Sequence, residues 1–540
     1  IHYRFWPQKG RKRAVEADLA QQLLRHAVIK HHPVVGRGHD RPLAQIAKQR
    51  LEERLFAGDA RIFETAGEIA YRCGDALLTA GQAVLFALFI AAVSLSAAPN
   101  YVLIFCDDLG YGDLGCYGSK KNRTPRIDQL AREGMRFTDF YSSSPVCTPS
   151  RASLMTGCYA RRVGMHEDFT GHWVLIPRSR RGMHADEWTL PEILKAKGYA
   201  TACIGKWHLG DQPPHLPTAH GFDEYYGIPY SNDMASARRG DPPLPLVQDT
   251  KVIEAPANQA TLTKRYTSEA IQFIERNKSK PFFLYLPHTF PHLPLFASKE
   301  FHGKSANGRY GDSVEEIDWS TGKILDALKQ HGLDKNTLVI FTSDNGSNGR
   351  NGGSNAPLSG AKGGTMEGGM RVPMIARWPG RIPAGGTCNE LSSTMDFLPT
   401  FATLSGGLLS ANKIDGHDIT PLLTGTKGAA SPYEVFYYYR RRQLQAVRWG
   451  DWKWHLPLAN TFPNWTTANQ KGRGRPGKLV NLKTDLAEKV DMTAANPKVM
   501  AKMRELVAQA EATLGNEDRQ GKEQRPATTL KSSKPMVLVK

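Results

Sequence analysis

Uninterrupted apolar runs alternating with amphipathic stretches dominate the middle of this chain. Residues 101–106 (YVLIFC) form one such run, bounded by polar turn residues, which is the pattern of a strand buried on both faces of a sheet. Comparable runs recur at 200–204, 282–286, 338–341 and 373–376. Between them, 190–197, 263–276 and 314–330 have helical period. A further helix is predicted after Thr124, with Pro125 at its first position, Ile127 and Leu130 on one face and Gly134 as its stop. Strand and helix alternating in this order predict an α/β domain over 99–423, with a large, mainly parallel central sheet flanked by helices.

The texture changes after residue 423. EVFYYYRRRQLQAVRWGDWKWHL is rich in aromatic and β-branched residues around an Arg-Trp-Gly-Asp turn, which predicts an antiparallel hairpin. A basic, Gly-rich loop at 471–478 leads to LVNL, and 497–514 carries an amphipathic helix, so 424–515 reads as a smaller α+β domain. The last segment, 516–540, is polar with scattered Lys and Pro and reads as a flexible tail. At the other end, residues 1–80 are polar, basic and without a motif, and the first methionine is Met135, which suggests a fragment or translation begun upstream of the true start. The run 83–93 (AVLFALFIAAV) followed by SLSAAP resembles the apolar region and cleavage zone of a signal peptide within 81–98. It is shorter than the roughly 20 apolar residues that a stable membrane span needs. Export to the periplasm or exterior is therefore expected, with cleavage between Ser96 and Ala98.

Composition narrows the class. With 540 residues, 40% of them hydrophobic, the chain has ample material for a large core, so intrinsic disorder and a collagen-like repeat are excluded. A formal charge of +18 favours polyanions, whether nucleic acid, anionic lipid or sulfated polysaccharide. No zinc-finger spacing, RNP sequence or helix-turn-helix pattern supports nucleic acid. The seven cysteines lack CxxC spacing, which argues against a disulfide framework or a zinc site.

Candidate chemistry collects where an open α/β sheet binds its ligands, beyond the carboxyl ends of the strands. The predicted strands are followed in turn by Asp107-Asp108, by Gly205-Lys206-Trp207-His208, by His288 and His292, and by Ser343-Asp344-Asn345-Gly346. Asp107, Asp108, Asp344 and Asn345 offer only oxygen donors, which suits Ca²⁺ or Mg²⁺. The three carboxylates have no evident basic partners in the sequence, so a cation is the expected reason they tolerate proximity. In SSSPVCTPSRASLMTG (142–157), Pro149 and Ser150 predict the first turn of a short helix, with Cys147 just before its N-terminus, where an anion is favoured. That cysteine is either a low-pKa nucleophile or a packing residue.

Cys147-Thr148-Pro149-Ser150-Arg151, with Leu154-Met155-Thr156-Gly157 behind it, resembles the C-x-P-S-R…TG signature of the type I sulfatases, whose cysteine is oxidised to formylglycine. DDLGYGDLGCYG (107–118), GKWHLG (205–210), HGFDEYYGIPYSND (220–233), PFFLYLPHTFPHLP (281–294), LVIFTSDNG (338–346) and GAKGGTMEGGMRVP (360–373) extend the likeness in family order from 99 to about 514, nearest the arylsulfatase and N-acetylgalactosamine-6-sulfatase branch. The resemblance implies an alkaline phosphatase-like sulfatase fold. It implies that Asp107, Asp108, Asp344 and Asn345, with the modified Cys147, bind Ca²⁺ (or Mg²⁺), and that Arg151 holds the modified residue. Lys206 and Lys362 would bind sulfate oxygens, and His208, Ser231 and His292 would complete the pocket, His288 being a second choice for His292. The implied reaction is attack of the hydrated aldehyde on sulfur, protonation of the departing alcohol by His292 with Lys362, and collapse of the covalent sulfate with His208 as base. The implied partners are a sulfate ester, either a small aryl sulfate or a sulfated glycan, and a formylglycine-generating maturation enzyme. Departures are Cys106 at the end of the first strand and Cys158 where an arginine is usual. The competing readings are a phosphate or phosphonate ester hydrolase of the same superfamily, and a non-catalytic glycan-binding relative.

Overall fold

Every residue of the strand Asn100–Cys106 is buried, and its side chains alternate between two separate cores. Tyr101, Leu103 and Phe105 face one core, which includes Leu154, Met155, Ile193, Leu194, Phe397 and Phe401. Val102, Ile104 and Cys106 face the other, with Ile127, Leu130, Phe273, Ile274, Ile317 and Ile324. A strand apolar at every position is thus what a sheet covered on both faces requires. The structure, a computed structural model, describes residues 98–461 and 472–539. The reading of 1–80 as an extension, and all but the last residue of the signal-like 81–98, lie outside the described residues.

The central sheet has ten strands in the order Gly386–Cys388, Met135–Phe137, Met374–Arg377, Thr337–Ser343, Asn100–Cys106, Phe282–Pro287, Ala200–Ile204, Glu224–Gly227, Leu246–Gln248 and Lys251–Glu254. The five strands from Thr337–Ser343 to Glu224–Gly227 are all parallel. Antiparallel pairings flank that parallel block on both sides, so the sheet as a whole is mixed. Helices Pro125–Glu133, Leu262–Arg276 and Gly308–Gln330 cover one face; Cys147–Thr156, Leu190–Ala196 and Phe397–Ser405 cover the other. Among the described residues no helix is long and apolar enough to cross a membrane.

Where neighbouring strands end at the site their backbones crowd together. A Cβ on Gly205, whose φ is +138°, would come within 1.9 Å of the Pro287 carbonyl oxygen, and one on Gly227 within 1.8 Å of the Gly205 carbonyl oxygen. Only glycine lets these chains approach so closely. The approach is used at once, since Lys206 N–H donates to Pro287 O at 2.7 Å.

The C-terminal part is an antiparallel sheet, Phe436–Arg440, Gln443–Trp449, Trp452–His455 and Lys478–Asn481, backed by the helix Pro497–Thr513 through Met503 and Leu506. Two expectations for this region are corrected. Gly472–Arg475, expected within a loop, pairs as a strand with Leu458–Thr461. Residues 516–539 are not a free tail, because polar side chains and backbone hydrogen bonds fasten them to the larger domain. Arg162 pairs with Glu523 and Arg525 with Glu187, at 2.8 and 2.6 Å. Thr528–Thr529 pairs with Arg181–Gly182, and Lys534 exchanges hydrogen bonds with the Gln212 side chain at 2.9 Å.

Candidate active site

The carboxyl ends of the parallel strands bring the sequence-predicted residues together. Asp107 and Asp108 follow the central strand, Lys206 and His208 its neighbour but one, His292 the strand between, and Asp344 and Asn345 the strand on the other side. The sharp turns there hold Asp108 and His208 at φ +65° and +62°, conformations uncommon outside glycine. Cys147 is the first residue of its helix, with Val146 as N-cap, rather than lying before the helix as expected. Its Sγ lies 3.4 Å from Asp107 Oδ1.

Each carboxylate has a cation, which corrects the expectation that they lack basic partners. Lys206 Nζ bonds Asp107 Oδ2, and Lys362 Nζ donates to Asp108 Oδ2 at 2.8 Å. Arg151 grips Asp344 Oδ2 through Nε and Nη2 at 3.1 and 2.8 Å, and its Nη1 donates to Lys206 O at 2.9 Å. These partners come from a helix and two loops far apart in sequence. Burial raises the Asp344 carboxyl to about 7, with the Asp107 charge adding to the rise and Arg151 opposing it. Asp107 would also rise by burial, but Lys206, His292 and Arg151 hold it well below the carboxylate range. Burial, with Asp107 beside it, pushes the Cys147 thiol well up, so the low-pKa nucleophile reading of the unmodified cysteine loses its basis.

One ligand atom each from Asp107, Asp108, Cys147 and His292 lie within 4.8 Å of one another. Asn345 donates Nδ2 to Asp108 Oδ1 at 2.7 Å, while its Oδ1 is buried with no hydrogen-bond partner. An orphaned amide oxygen beside two carboxylates fits a hard cation.

The two imidazoles of the pocket are held differently. His208 Nε2 sits 3.0 Å from Leu175 O, leaving the buried Nδ1 without a partner. Burial lowers its pKa well below the ordinary value, and Lys206 and Arg151 lower it further, so the ring is neutral. His292 turns Nε2 into the pocket, 3.4 Å from Ser231 Oγ and 3.8 Å from Asp108 Oδ2. Ser231 Oγ in turn accepts from Lys206 Nζ at 3.2 Å. Burial, seconded by Lys362, lowers His292 too. His288, the alternative on the same loop, is turned away onto Ser320 Oγ at 3.4 Å.

Asn232 was missed by sequence reasoning. Its Oδ1 lies 3.0 Å from His292 Nδ1, and its Nδ2 donates to Gln259 Oε1 and Pro294 O at 3.0 and 3.1 Å. The only signal was its place beside Ser231 in PYSND, since an asparagine in a loop announces no chemistry. Lys362 comes from the 359–372 loop, whose far side is bound by the C-terminal sheet. Lys453 Nζ meets Glu367 Oε1 and Glu488 Oε1 at 2.8 and 2.9 Å, all fully buried, and Thr365 Oγ1 donates to Gln445 Oε1 at 3.0 Å.

This geometry has known relatives. The Sulfatase family model matches residues 99–407, and the model for the C-terminal region of aryl-sulfatase matches 431–535. The chain is 41% identical to N-acetylgalactosamine-6-sulfatase of Canis lupus familiaris over 408 residues, covering 72% of this chain and 76% of that protein. It is 38% identical to Arylsulfatase A of Homo sapiens over 466 residues, covering 79% and 90%. Among solved structures, PsFucS1 sulfatase from Pseudoalteromonas sp. superposes with a TM-score of 0.67 at 30% identity, covering 78% of this chain and 93% of that one. Carboxylates, cations and a signature cysteine gathered at the strand ends, under matches that span most of the chain, make this protein a member of the sulfatase family and a sulfatase.

Proposed function

We propose that this protein releases inorganic sulfate from aryl sulfates or sulfated carbohydrates, with Cys147 matured to formylglycine and Ca²⁺ held by Asp107, Asp108, Asp344 and Asn345. The observation that carries the reading is a charge balance. Lys206, Lys362 and Arg151 offset three buried carboxylates, so a divalent ion leaves the pocket net positive, as an anionic sulfate ester requires.

When bound, the ion polarises sulfate oxygens and lowers the pKa of a hydroxyl nearby. The aldehyde, once formed and hydrated, supplies the oxygen nucleophile that a buried neutral thiol is not. The chain's own residues do the rest. Arg151 fixes Asp344 and the Lys206 backbone, which sets the floor of the pocket. Lys206 and Lys362 point their ammonium groups into it and bind the sulfate oxygens. Burial would lower the Lys362 pKa, but Asp108 and its other acidic neighbours raise it, so Lys362 arrives protonated. It reaches Asp108 Oδ2 beside His292 Nε2, and the two together deliver a proton to the departing alkoxide. His208, committed at Nε2 to Leu175 O, has Nδ1 free to take a proton from the nucleophile's side. Cys147 is only 2% exposed, so maturation precedes folding on this reading, and the signal-like run at 83–93 directs export.

Peptide mass spectrometry of residue 147, set against sulfate release from 4-nitrophenyl sulfate, tests the proposal. Turnover should rise in proportion to the aldehyde fraction and exceed turnover of 4-nitrophenyl phosphate. Protein with wholly unmodified Cys147 that turns over as fast as matured protein overturns the mechanism.

A further inference from the structure

The mouth of the pocket is marked by Asp233. This residue is exposed to solvent, yet the charges of His292, Lys206 and Lys362 act on its carboxylate, two positions along the chain from Ser231. From there a row of cations runs outward over the surface. Arg239 donates Nη2 to Asp233 O at 2.8 Å, with exposed Arg238 beside it. Arg178 donates Nη2 to Gly240 O at 3.3 Å, joining the next loop to the row. Arg180 donates Nη1 to Lys531 O at 3.4 Å, and its guanidinium lies 4.5 Å from the ring centroid of Phe169, which is 41% exposed. Lys534 closes the row where its backbone bonds Gln212.

Of these six cations, Lys531 included, Arg239 pairs with Asp241 at 2.8 Å. Among the described residues the other five make no ion pair. Asp233, Asp241 and Asp211 are the carboxylates beside the row. Six cations against three carboxylates leave a surplus of like charge, which costs stability unless a polyanion relieves it. It begins two residues from Ser231, whose Oγ accepts from Lys206 Nζ, and it includes an exposed aromatic ring held face-on by an arginine.

We propose that this row is a binding strip for the flanking, still sulfated units of a linear sulfated glycan whose scissile ester occupies the pocket. The inference rests on the sulfatase reading above and adds the substrate class, a polymer rather than an isolated aryl ester. The strip holds the neighbouring sulfates by charge, and Phe169 offers its face to a sugar ring. Length of the glycan, rather than the single ester, then sets affinity.

The test uses matured full-length protein and a surface variant, Arg178→Asn/Arg238→Ser/Lys531→Ser. Asparagine is chosen at 178 because φ there is +64°, which asparagine tolerates. Dextran sulfate fragments are measured as competitive inhibitors of 4-nitrophenyl sulfate hydrolysis. For the natural protein the inhibition constant should fall by about tenfold from disaccharide to octasaccharide, and the gain should vanish as salt rises from about 50 to about 300 mM. The variant should lose the length dependence while its kcat and KM for 4-nitrophenyl sulfate stay unchanged. Equal inhibition by short and long fragments, or an unaltered length dependence in the variant, overturns the strip. So does tighter inhibition by a DNA oligomer of equal charge. Absence of 4-nitrophenyl sulfate turnover in aldehyde-bearing protein overturns instead the sulfatase reading beneath it.

Discussion

The side chain of Asn232 fixes which nitrogen of His292 works in the pocket. With its own Nδ2 committed to Gln259 and Pro294, the amide presents only Oδ1 to His292 Nδ1, so with Leu293 O it keeps the ring proton on Nδ1 and leaves Nε2, beside Lys362 at Asp108, as the nitrogen that takes up and passes on the leaving-group proton. An amide 60 residues away in sequence thus joins a neighbouring carbonyl in setting a tautomer.

Asn232→Ala should lower kcat by about 10–100-fold, the usual cost of removing a histidine's orienting partner. The loss should be larger for alkyl than for nitrophenyl sulfates, because the poorer leaving group needs the proton more. Asn232→Asp, which keeps an acceptor, should recover part of the rate and move the pH profile upward. Equal losses for both leaving groups would remove the role assigned to the pair.

Asp344→Ala should abolish bound Ca²⁺ and nearly all turnover. It should also destabilise the fold by about 3–5 kcal/mol, since Arg151 is fully buried and would lose its bidentate partner. Metal content and denaturant midpoint together check this. Undiminished metal content would detach Asp344 from the ion.

Lys453→Met removes the ammonium that bridges Glu367 and Glu488, two buried carboxylates that also accept from Tyr438 and bond His455. A loss of about 3–5 kcal/mol is expected in urea unfolding. Replacing Lys453 with Met and both acids with Gln should recover much of it. A midpoint equal to that of the natural protein would show that the network contributes nothing.

His288 gives a pH dependence with a definite sign. Burial alone holds its folded pKa at about 3 against an ordinary 6.5. Above pH 6.5 the ring is neutral folded or unfolded and contributes no slope. Between 6.5 and 3 only the unfolded chain takes the proton, so stability is lost as pH falls, by up to about 1.4 kcal/mol per unit. Urea midpoints taken from about pH 7 to about pH 5 should therefore decline less steeply, by roughly one proton, in His288→Gln. Parallel slopes would mean that His288 gains its proton with ease in the folded protein.

Ending the chain after Asn516 should lower the melting temperature and reduce turnover. Arg162 and Glu187 would lose Glu523 and Arg525, and Arg161, which donates to three carbonyls of 514–519, would keep only that of Leu514 and, at its new end, nothing beyond. These residues belong to the 158–187 region that also carries Leu175, the carbonyl under His208. Unchanged melting and kinetics would return 517–540 to the status of a dispensable tail.

The sequence made the sheet legible where burial is two-sided. The run 101–106 is apolar throughout because both of its faces are covered, and the polar residues that follow such runs had to lie at the site by topology. Asp107, Lys206 and Asp344 were found in this way. What stayed hidden depends on pairings across long intervals. Arg151 meets Asp344 across 193 residues, and neither side chain marks the other in the sequence. Asn232 carries no periodic or charge signal. The 516–539 strap is held by arginine–carboxylate pairs and two-residue ladders, which are too short to leave a pattern.

The grip of the C-terminal sheet on the 359–372 loop bears on whether the enzyme is modular. The loop that carries Lys362 is anchored from the far side, with Lys453 and Glu488 holding Glu367 and Gln445 holding Thr365, so the larger domain does not own all of its active site. A chain stopped near residue 430 would keep every strand of the central sheet and still lack the scaffold for one sulfate-binding lysine. The two domains are then a single inheritance unit: recombination at their boundary breaks catalysis unless loop and sheet travel together.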